Sequence, residues 1–364
     1  MIVGVPKETK TREFRVGLVP NSVAELVNRG HQVVVESKAG AGIGASDEQY
    51  RSAGAEIVEL ATEVFARADM IVKVKEPQPN EWVQLSANQI IFTFLHLAAD
   101  APQARGLAHS GCTAIAYETI TDDAGGLPLL APMSEIAGRL AVIEGASHLK
   151  ANMGGRGVLI SGVPGTSPAE VLVIGGGVVG ANAAKMAVGL GARVTVFDRS
   201  VPRLRYLSDI FGRSITTRYS STAALAETIK TADMVIGAVL IPGAVAPKLI
   251  TRAQLSTMQQ GAVLVDVAID QGGCFETSKA TTHDEPTYIV DDIIHYCVAN
   301  MPGSVPRTSS ETLNNATLPH VLELADKGVD ALDEDAHLAN GLNVKDGKIV
   351  NQAVLDAIGR KSEA

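Results

Sequence analysis

The chain has 364 residues, enough for two domains of ordinary size. It is 46% hydrophobic but only 4% aromatic, so its cores must come from aliphatic side chains packed closely around its glycines. A net charge of −9 excludes the broad basic face of a nucleic-acid-binding protein. Three scattered cysteines, Cys112, Cys274 and Cys297, are too few for a disulfide framework or a zinc site, and Cys112 lies in an apolar run that reads as core. No H-x-x-x-H or H-E-x-x-H pattern occurs, so no catalytic metal is expected. Met1 leads straight into an apolar strand rather than a signal peptide. Uncharged runs such as residues 234–247 fall short of the ~20 residues that span a bilayer. The expectation is a cytoplasmic protein with no membrane partner.

Residues 2–5 read as a strand. Asn21 or Ser22 can cap a helix that puts Val23, Leu26 and Val27 on one face and ends at Gly30. A glycine loop at 40–44 and a short helix from 47 to about 53 follow. Further strands are expected at 33–35, 56–58, 70–74, 90–95 and 113–117, with helices between several of them. This is a doubly wound α/β unit without a glycine fingerprint. In such sheets, ligands gather beyond the C-terminal ends of the strands. Two polar residues stand there: Lys75 after the 70–74 strand and His96 after the 90–95 strand. Lys73 shares a face with Lys75 by the two-residue period, but it lies inside the predicted strand and reads as structural.

A breaker-rich link covers 125–132, and a long helix is expected from Ser134 to about 151. The stretch VLVIGGGVVGANAAKMAVGLGARVTVFD then carries the strongest signal in the chain. An apolar strand at 171–174 is followed by Gly175, Gly177 and Gly180 in G-x-G-x-x-G spacing. Next come a helix of small residues, a second strand at 194–197, and Asp198. Gly175 permits the tight turn. Gly177 has no side chain to hold off a pyrophosphate. Gly180 lets the helix lie close on the strand. The helix N-terminus, with Val178 and Val179, offers N–H groups to phosphate oxygens. Asp198 stands 18 residues after Gly180, near the ~20 expected for the acid that binds the adenosine ribose. A carboxylate there repels a 2′-phosphate, which favours NAD over NADP; Arg199 and Arg203 soften that preference.

Later strands are expected at 216–219, 234–238, 262–267 and 288–290, with helices at 222–230 and 251–258. Asp270 falls just past the end of the 262–267 strand. A Pro/Gly loop at 300–306 leads to a helix from Thr308, which Pro319 is expected to break or kink. A short helix at 331–339, a hairpin around Asp346-Gly347 and a final helix at 354–358 close the chain. This tail is too short and glycine-poor for a third nucleotide domain, so it is expected to pack back on the first one. The resulting division is 1–130 plus 307–364 as a discontinuous substrate-binding domain, and 131–306 as an NAD-binding domain.

The segments GVPKETKTREFRVGLVP, VKVKEP, FTFLHLAAD and APMSEIAGRLA, with the glycine block, resemble bacterial alanine dehydrogenases. The wider family includes the NAD-binding part of nicotinamide transhydrogenase and, more remotely, saccharopine-type dehydrogenases. The resemblance runs the length of the chain. It implies two Rossmann-type domains separated by an active-site cleft, usually in a homo-hexamer. It also implies reversible NAD-dependent deamination of L-alanine to pyruvate and ammonium. By the same resemblance, Arg15, Lys75, His96 and Asp270 handle substrate. Ser134, Gly175, Gly177, Val178, Val179, Gly180, Asp198, Arg203, Ser220, Val239, Leu240, Asn300 and Met301 contact the cofactor.

These residue types suit the chemistry. A guanidinium grips a carboxylate bidentately, which suits Arg15, although most arginines are solvated surface groups. Lys75 can stabilise negative charge on oxygen, although a lysine at a strand end commonly just reaches for solvent. His96 is the natural acid–base group, since imidazole titrates at about 6.5. A lone histidine in such a place is more often a satisfied core residue, the reading kept for the other seven, His31, His109 and His148 among them. Asp270 can offset a cationic substrate nitrogen, although a turn cap is the ordinary role for such an acid; Asp266, inside its strand, reads as structural. Two other functions compete: a transhydrogenase module that only binds NAD(H), and a dehydrogenase of a larger amino acid of the lysine or saccharopine type. The first would not need Arg15, Lys75 and His96 together; the second turns on pocket depth.

Overall fold

A computed structural model describes residues 1–239 and 247–362. These form two compact units, Met1–Pro132 with Val305–Ala364, and Met133–Ser304. The first third of the chain supplies β1 (Ile2–Val5), β2 (Gln32–Glu36), β3 (Glu56–Val58), β4 (Met70–Val72), β5 (Ile90–Thr93) and β6 (Thr113–Ala116). The middle supplies β7 (Glu170–Ile174), β8 (Arg193–Asp198), β9 (Ile215–Tyr219) and β10 (Met234–Gly237). It continues with β11 (Val263–Asp266), β12 (Thr287–Val290) and β13 (Ile293–Tyr296), and the tail adds β14 (Leu342–Lys345) and β15 (Lys348–Ile349).

The first unit is an eight-stranded sheet in the order β15-β14-β6-β5-β4-β1-β2-β3. Strands β1 to β6 are parallel, and the order reverses between β1 and β4, which pair at Val3↔Met70. That reversal is the topological switch where ligands of doubly wound sheets bind. Helices on both faces explain why β4, β5 and β6 are buried at every position. The tail completes this sheet: β14 runs antiparallel to β6, and β15 turns back on β14.

The second unit is a seven-stranded sheet, β12-β13-β11-β10-β7-β8-β9. Its parallel members repeat the same order, with the switch between β7 and β10. Pairings Ile174↔Gly237 and Gly237↔Asp266 bring three strand ends level. Whatever leaves the C-terminal ends of β7, β10 and β11 therefore lies along one edge.

Several elements differ from the expectation. The first helix is Pro20–Asn28, with Pro at its first turn; Val19 is its N-cap, without a side-chain bond. Proline is preorganised for that position, so Asn21 and Ser22 fall inside the helix rather than capping it. The long helix is Ala131–His148. The tail helix runs from Pro306 to Lys327 straight through Pro319, so the expected break does not occur. The 331–339 helix is split into Ala331–Glu334 and Ala336–Ala339, because Asp335 is extended and caps the second piece. Strand β13 and the helix Val201–Phe211 were not anticipated. The turn into β13 uses Asp291 and Asp292, both with positive φ (50° and 61°), so no glycine marks the hairpin.

Candidate active site

In the second unit, each glycine after β7 meets a different constraint. Gly175 has φ +100°, and a Cβ there would stand 2.6 Å from the carbonyl oxygen of Ala238. At Gly180 a Cβ would overlap the carbonyl oxygen of Gly175, so only glycine allows the helix Val178–Gly189 to sit this close to the turn. Gly177 is the opposite case. Its φ is −65°, and a Cβ there would meet nothing within 4 Å. Packing does not require glycine at 177. Open space beside a helix start does suit a ligand that must approach the backbone.

That helix begins at Gly177 with no side-chain cap, and its first internal bond is Ala181 N–H to Gly177 O at 3.0 Å. The N–H groups of Val178, Val179 and Gly180 therefore have no acceptor within the helix. Donors of this kind fit the oxygens of a pyrophosphate. The long helix carrying half-buried Ser134 lies against the same place, since a Cβ on Gly138 would overlap the carbonyl oxygen of Val179.

The other residues expected at the cofactor follow the sheet edge. Asp198 ends β8; its Oδ2 accepts the N–H of Gly176 at 2.7 Å and its Oδ1 that of Ser200 at 2.7 Å. It thus braces the glycine turn. Ser220 follows β9 and donates its N–H to the carbonyl of Asp198 at 2.9 Å. Arg203 is committed to the turn as well. Its Nε donates to Gly176 O at 2.5 Å and its Nη2 to Gly177 O at 3.3 Å, with the guanidinium over the Tyr206 ring. This clamp replaces the free cation expected to soften cofactor choice; Arg199 is exposed. Val239 follows β10, with its Cγ2 3.0 Å from the Cβ position of Gly175. Leu240 lies outside the described residues. Asp270 is exposed in the short turn Ile269–Gln271 after β11. Asn300 (φ 60°) and buried Met301 follow β13, and His283 Nε2 lies 3.3 Å from the Asn300 carbonyl oxygen.

Asp266 is structural, as expected. It is fully buried and accepts the N–H of Ala268 and Cys274 and the hydroxyl of Ser278. The three cysteines are free and buried.

In the first unit, β4 ends at Val72, two residues earlier than predicted, so Lys73 and Lys75 both lie beyond it. Lys73 is fully buried, with its Nζ 3.1 Å from Glu8 Oε2 and 2.9 Å from Glu81 Oε1. Burial alone would drive it toward the neutral amine, but the two carboxylates outweigh burial and hold its pKa above the ordinary lysine value. Lys75, 12% exposed, has its N–H on Glu8 Oε1 at 3.3 Å and its ammonium 3.9 Å from Glu76. Glu8 thus organises both lysines.

Arg15 is not a solvated surface residue. It is 2% exposed and held by Glu13 through Nε–Oε1 at 2.7 Å and Nη2–Oε2 at 2.5 Å. Its segment is seated on β4, since a Cβ on Gly17 would overlap the carbonyl oxygen of Val72. The tail helix pins it: Val16 N–H bonds Ser310 Oγ at 3.1 Å, and Val19 N–H bonds Asn314 Oδ1 at 2.9 Å.

His96 is not a core residue either. Its side chain is 46% exposed, its φ is +52°, and its ring stacks on Phe94 at 5.7 Å. Left-handed backbone at a non-glycine residue is uncommon and persists only where the surroundings impose it. Here Glu118 imposes it, accepting the N–H of His96 at 2.6 Å and that of Leu95 at 3.2 Å. The expectation of satisfied histidines holds for His148, which bonds the Glu144 carbonyl, and for His31, which meets Asp326; His109 is exposed.

Sequence reasoning thus missed Glu8, Glu13, Glu118, Ser310 and Asn314. Glu118 alone had a signal, since it follows β6 just as Lys75 and His96 follow their strands.

Two doubly wound sheets whose parallel strands share one order, the second with a glycine turn built for close backbone approach, define a Rossmann-type α/β protein of the dinucleotide-binding class. The chain belongs to the alanine dehydrogenase/PNT family: the N-terminal domain model matches residues 4–137 and the C-terminal domain model residues 141–352. It is 58% identical over 360 residues to an alanine dehydrogenase of Halomonas elongata, covering 99% of this chain and 97% of that one. An alanine dehydrogenase of Mycobacterium tuberculosis is 53% identical with the same coverage. Among solved structures, an L-alanine dehydrogenase superposes with a TM-score of 0.96 at 50% identity, covering 99% of both chains. A transhydrogenase from Sinorhizobium meliloti gives 0.82 at 26% identity, covering 97% of this chain and all of that one.

Proposed function

We propose that this chain catalyses the reversible NAD-dependent oxidative deamination of L-alanine to pyruvate and ammonium. The observation that carries the reading is the near-complete, 58% identical match to an alanine dehydrogenase. The constrained, exposed His96 supports it: it follows β5, the neighbour of β4, which Lys75 follows. The transhydrogenase-module reading draws on a likeness at 26% identity and leaves His96 and Lys75 without a task.

NAD, when bound, accepts the hydride. Its site is formed by the Gly175–Gly180 turn, Asp198, Arg203, Ser220, Val239, Ser134, Asn300 and Met301, and Leu240 is retained in this proposal. Uncapped N–H groups receive the phosphates, and Asp198 receives ribose hydroxyls and repels a 2′-phosphate. Arg15, its plane fixed by Glu13, orients the substrate carboxylate. Lys75 stabilises negative charge on the substrate oxygen. Asp270 offsets positive charge on the substrate nitrogen. His96 takes a proton from the water that adds to the iminium carbon, and returns one to the carbonyl oxygen in the reverse direction. Residues 1–130 with 307–364 form the substrate-binding domain, and residues 131–306 the NAD-binding domain. No described helix is long and apolar enough to cross a membrane. A cytoplasmic homo-oligomer, a hexamer, completes the proposal.

The test is the initial rate of NADH formation with L-alanine, D-alanine, glycine and L-lysine, using NAD and NADP in turn. L-alanine with NAD should dominate, and deamination should quicken into the alkaline range as the substrate amine loses its proton. Absence of alanine-dependent NADH formation, in protein that binds NADH, would overturn the reading.

A further inference from the structure

We propose that His320, Glu323 and Asp335 form a divalent-cation site, for Zn²⁺ in the first instance, in the tail portion of the first unit. His320 and Glu323 are three residues apart on the helix Pro306–Lys327 and so share a face. The chain then turns through Ala331–Glu334 and returns with Asp335, the N-cap of Ala336–Ala339. One ligand atom from each of the three lies within 4.8 Å of the other two.

Each residue retains an uncommitted donor atom. His320 Nδ1 is buried and has no hydrogen-bond partner among the described residues. Buried polar atoms are nearly always satisfied, so such an orphan needs a cause. Asp335 uses Oδ1 for the N–H groups of His337 at 2.8 Å and Leu338 at 3.1 Å, which leaves Oδ2. Glu323 uses Oε1 for Lys327 Nζ at 3.0 Å, which leaves Oε2. The neighbouring His337 is already engaged, by Thr121 at 2.8 Å and Asp123 at 3.0 Å.

The chemistry matches a first-row divalent ion. His320 offers a nitrogen ligand through its unpartnered Nδ1. Asp335 supplies negative charge, and Glu323 supplies the carboxylate oxygen that Lys327 does not hold. One nitrogen and two oxygen ligands suit Zn²⁺, with water filling what three protein ligands leave open. The ion would tie the tail helix to the turn that follows it. That role is structural, and it does not depend on the catalytic reading above.

The test uses full-length protein stripped with a chelator and desalted, with Zn²⁺ alone as the probe. Zn²⁺ should raise Tm, and wild type should bind one equivalent more than His320→Gln. Asp335→Asn keeps a helix cap, so it should fold normally and bind at least about tenfold more weakly. Glu323→Gln serves the same purpose should His320→Gln fail to fold. The site's equivalent should persist in His96→Ala, and Co²⁺ in its place should give a visible absorption band that the three ligand variants lack. Equal Zn²⁺ stoichiometry and Tm response in wild type and the ligand variants, or no Zn²⁺ response in wild type, would overturn the proposal.

Discussion

Glu118 holds His96 from two sides: one oxygen accepts the histidine's backbone N–H at 2.6 Å and lies 3.8 Å from its imidazole Nδ1. The same carboxylate takes the N–H of Leu95, so three groups after β5 converge on one side chain from the end of β6. Such a carboxylate fixes the backbone of the proposed acid–base group and places a negative charge near its ring.

Glu118→Ala should therefore lower kcat by about 10²-fold, the usual cost of displacing a reacting group by about 1 Å. Glu118→Gln keeps an acceptor for the backbone N–H and should retain more activity than the alanine variant. Steady-state kinetics with L-alanine and NAD read the difference. Equal loss in both variants would mean that the charge matters and the backbone clamp does not.

Gly177→Ala and Gly180→Ala should separate binding from folding. The methyl at 177 enters open space, so Tm should hold while the NADH Kd rises. The methyl at 180 enters the carbonyl of Gly175, so the protein should lose about 1–3 kcal/mol of stability through overpacking. Thermal unfolding and NADH fluorescence titration on both variants check this. A Gly177→Ala protein that binds NADH normally would remove that residue from the site.

Lys73 and Lys75 are two residues apart and should behave oppositely. Lys73→Met strands two buried carboxylates, Glu8 and Glu81, and should cost about 3–5 kcal/mol. Lys75→Met leaves Glu76 with Lys10, so it should cost clearly less stability than Lys73→Met, and it should lower kcat/KM for alanine steeply. Denaturant unfolding beside kinetics distinguishes them; a stable Lys73→Met protein would refute the buried-network assignment.

Glu76 gives a pH-dependent stability. Burial pushes its carboxyl up, but Lys75 and Lys10 outweigh burial and hold it below the ordinary value of about 4.5. A depressed carboxylate pKa stabilises the fold above that ordinary value, and the gain is lost as pH falls through the folded pKa. Wild type should thus exceed Glu76→Gln by about 1 kcal/mol near neutrality. The gap should close progressively below pH 4.5. A gap of constant size from neutral to acid pH would contradict the assignment.

The parts of the site visible in the sequence are those with local causes. Gly175 and Gly180 are required by their own turn, and Asp198 stands at the end of a strand whose period is plain. Lys75 and His96 were found by one rule, that a polar residue ending an apolar parallel strand faces the ligand side. The supports of Arg15 were invisible because they are remote: Ser310 and Asn314 meet its segment from almost 300 residues away. Lys73 was judged structural for the wrong reason, since it lies outside the strand and is structural through Glu8 and Glu81. Strand β13 was lost because Asp291 and Asp292 make a turn that usually needs glycine.

The antiparallel pairing of β14 with β6 governs how the protein can be made. During synthesis, residues 1–132 leave the ribosome with the outer edge of β6 bare and the Arg15 segment unpinned. Their partners, β14 and the tail helix, are translated only after the whole of the second unit. That second unit is continuous in sequence, so it holds every strand it needs as soon as it emerges. The later-made unit is thus the earlier to close, and the nascent N-terminal segment spends that interval with an open sheet edge that invites aggregation.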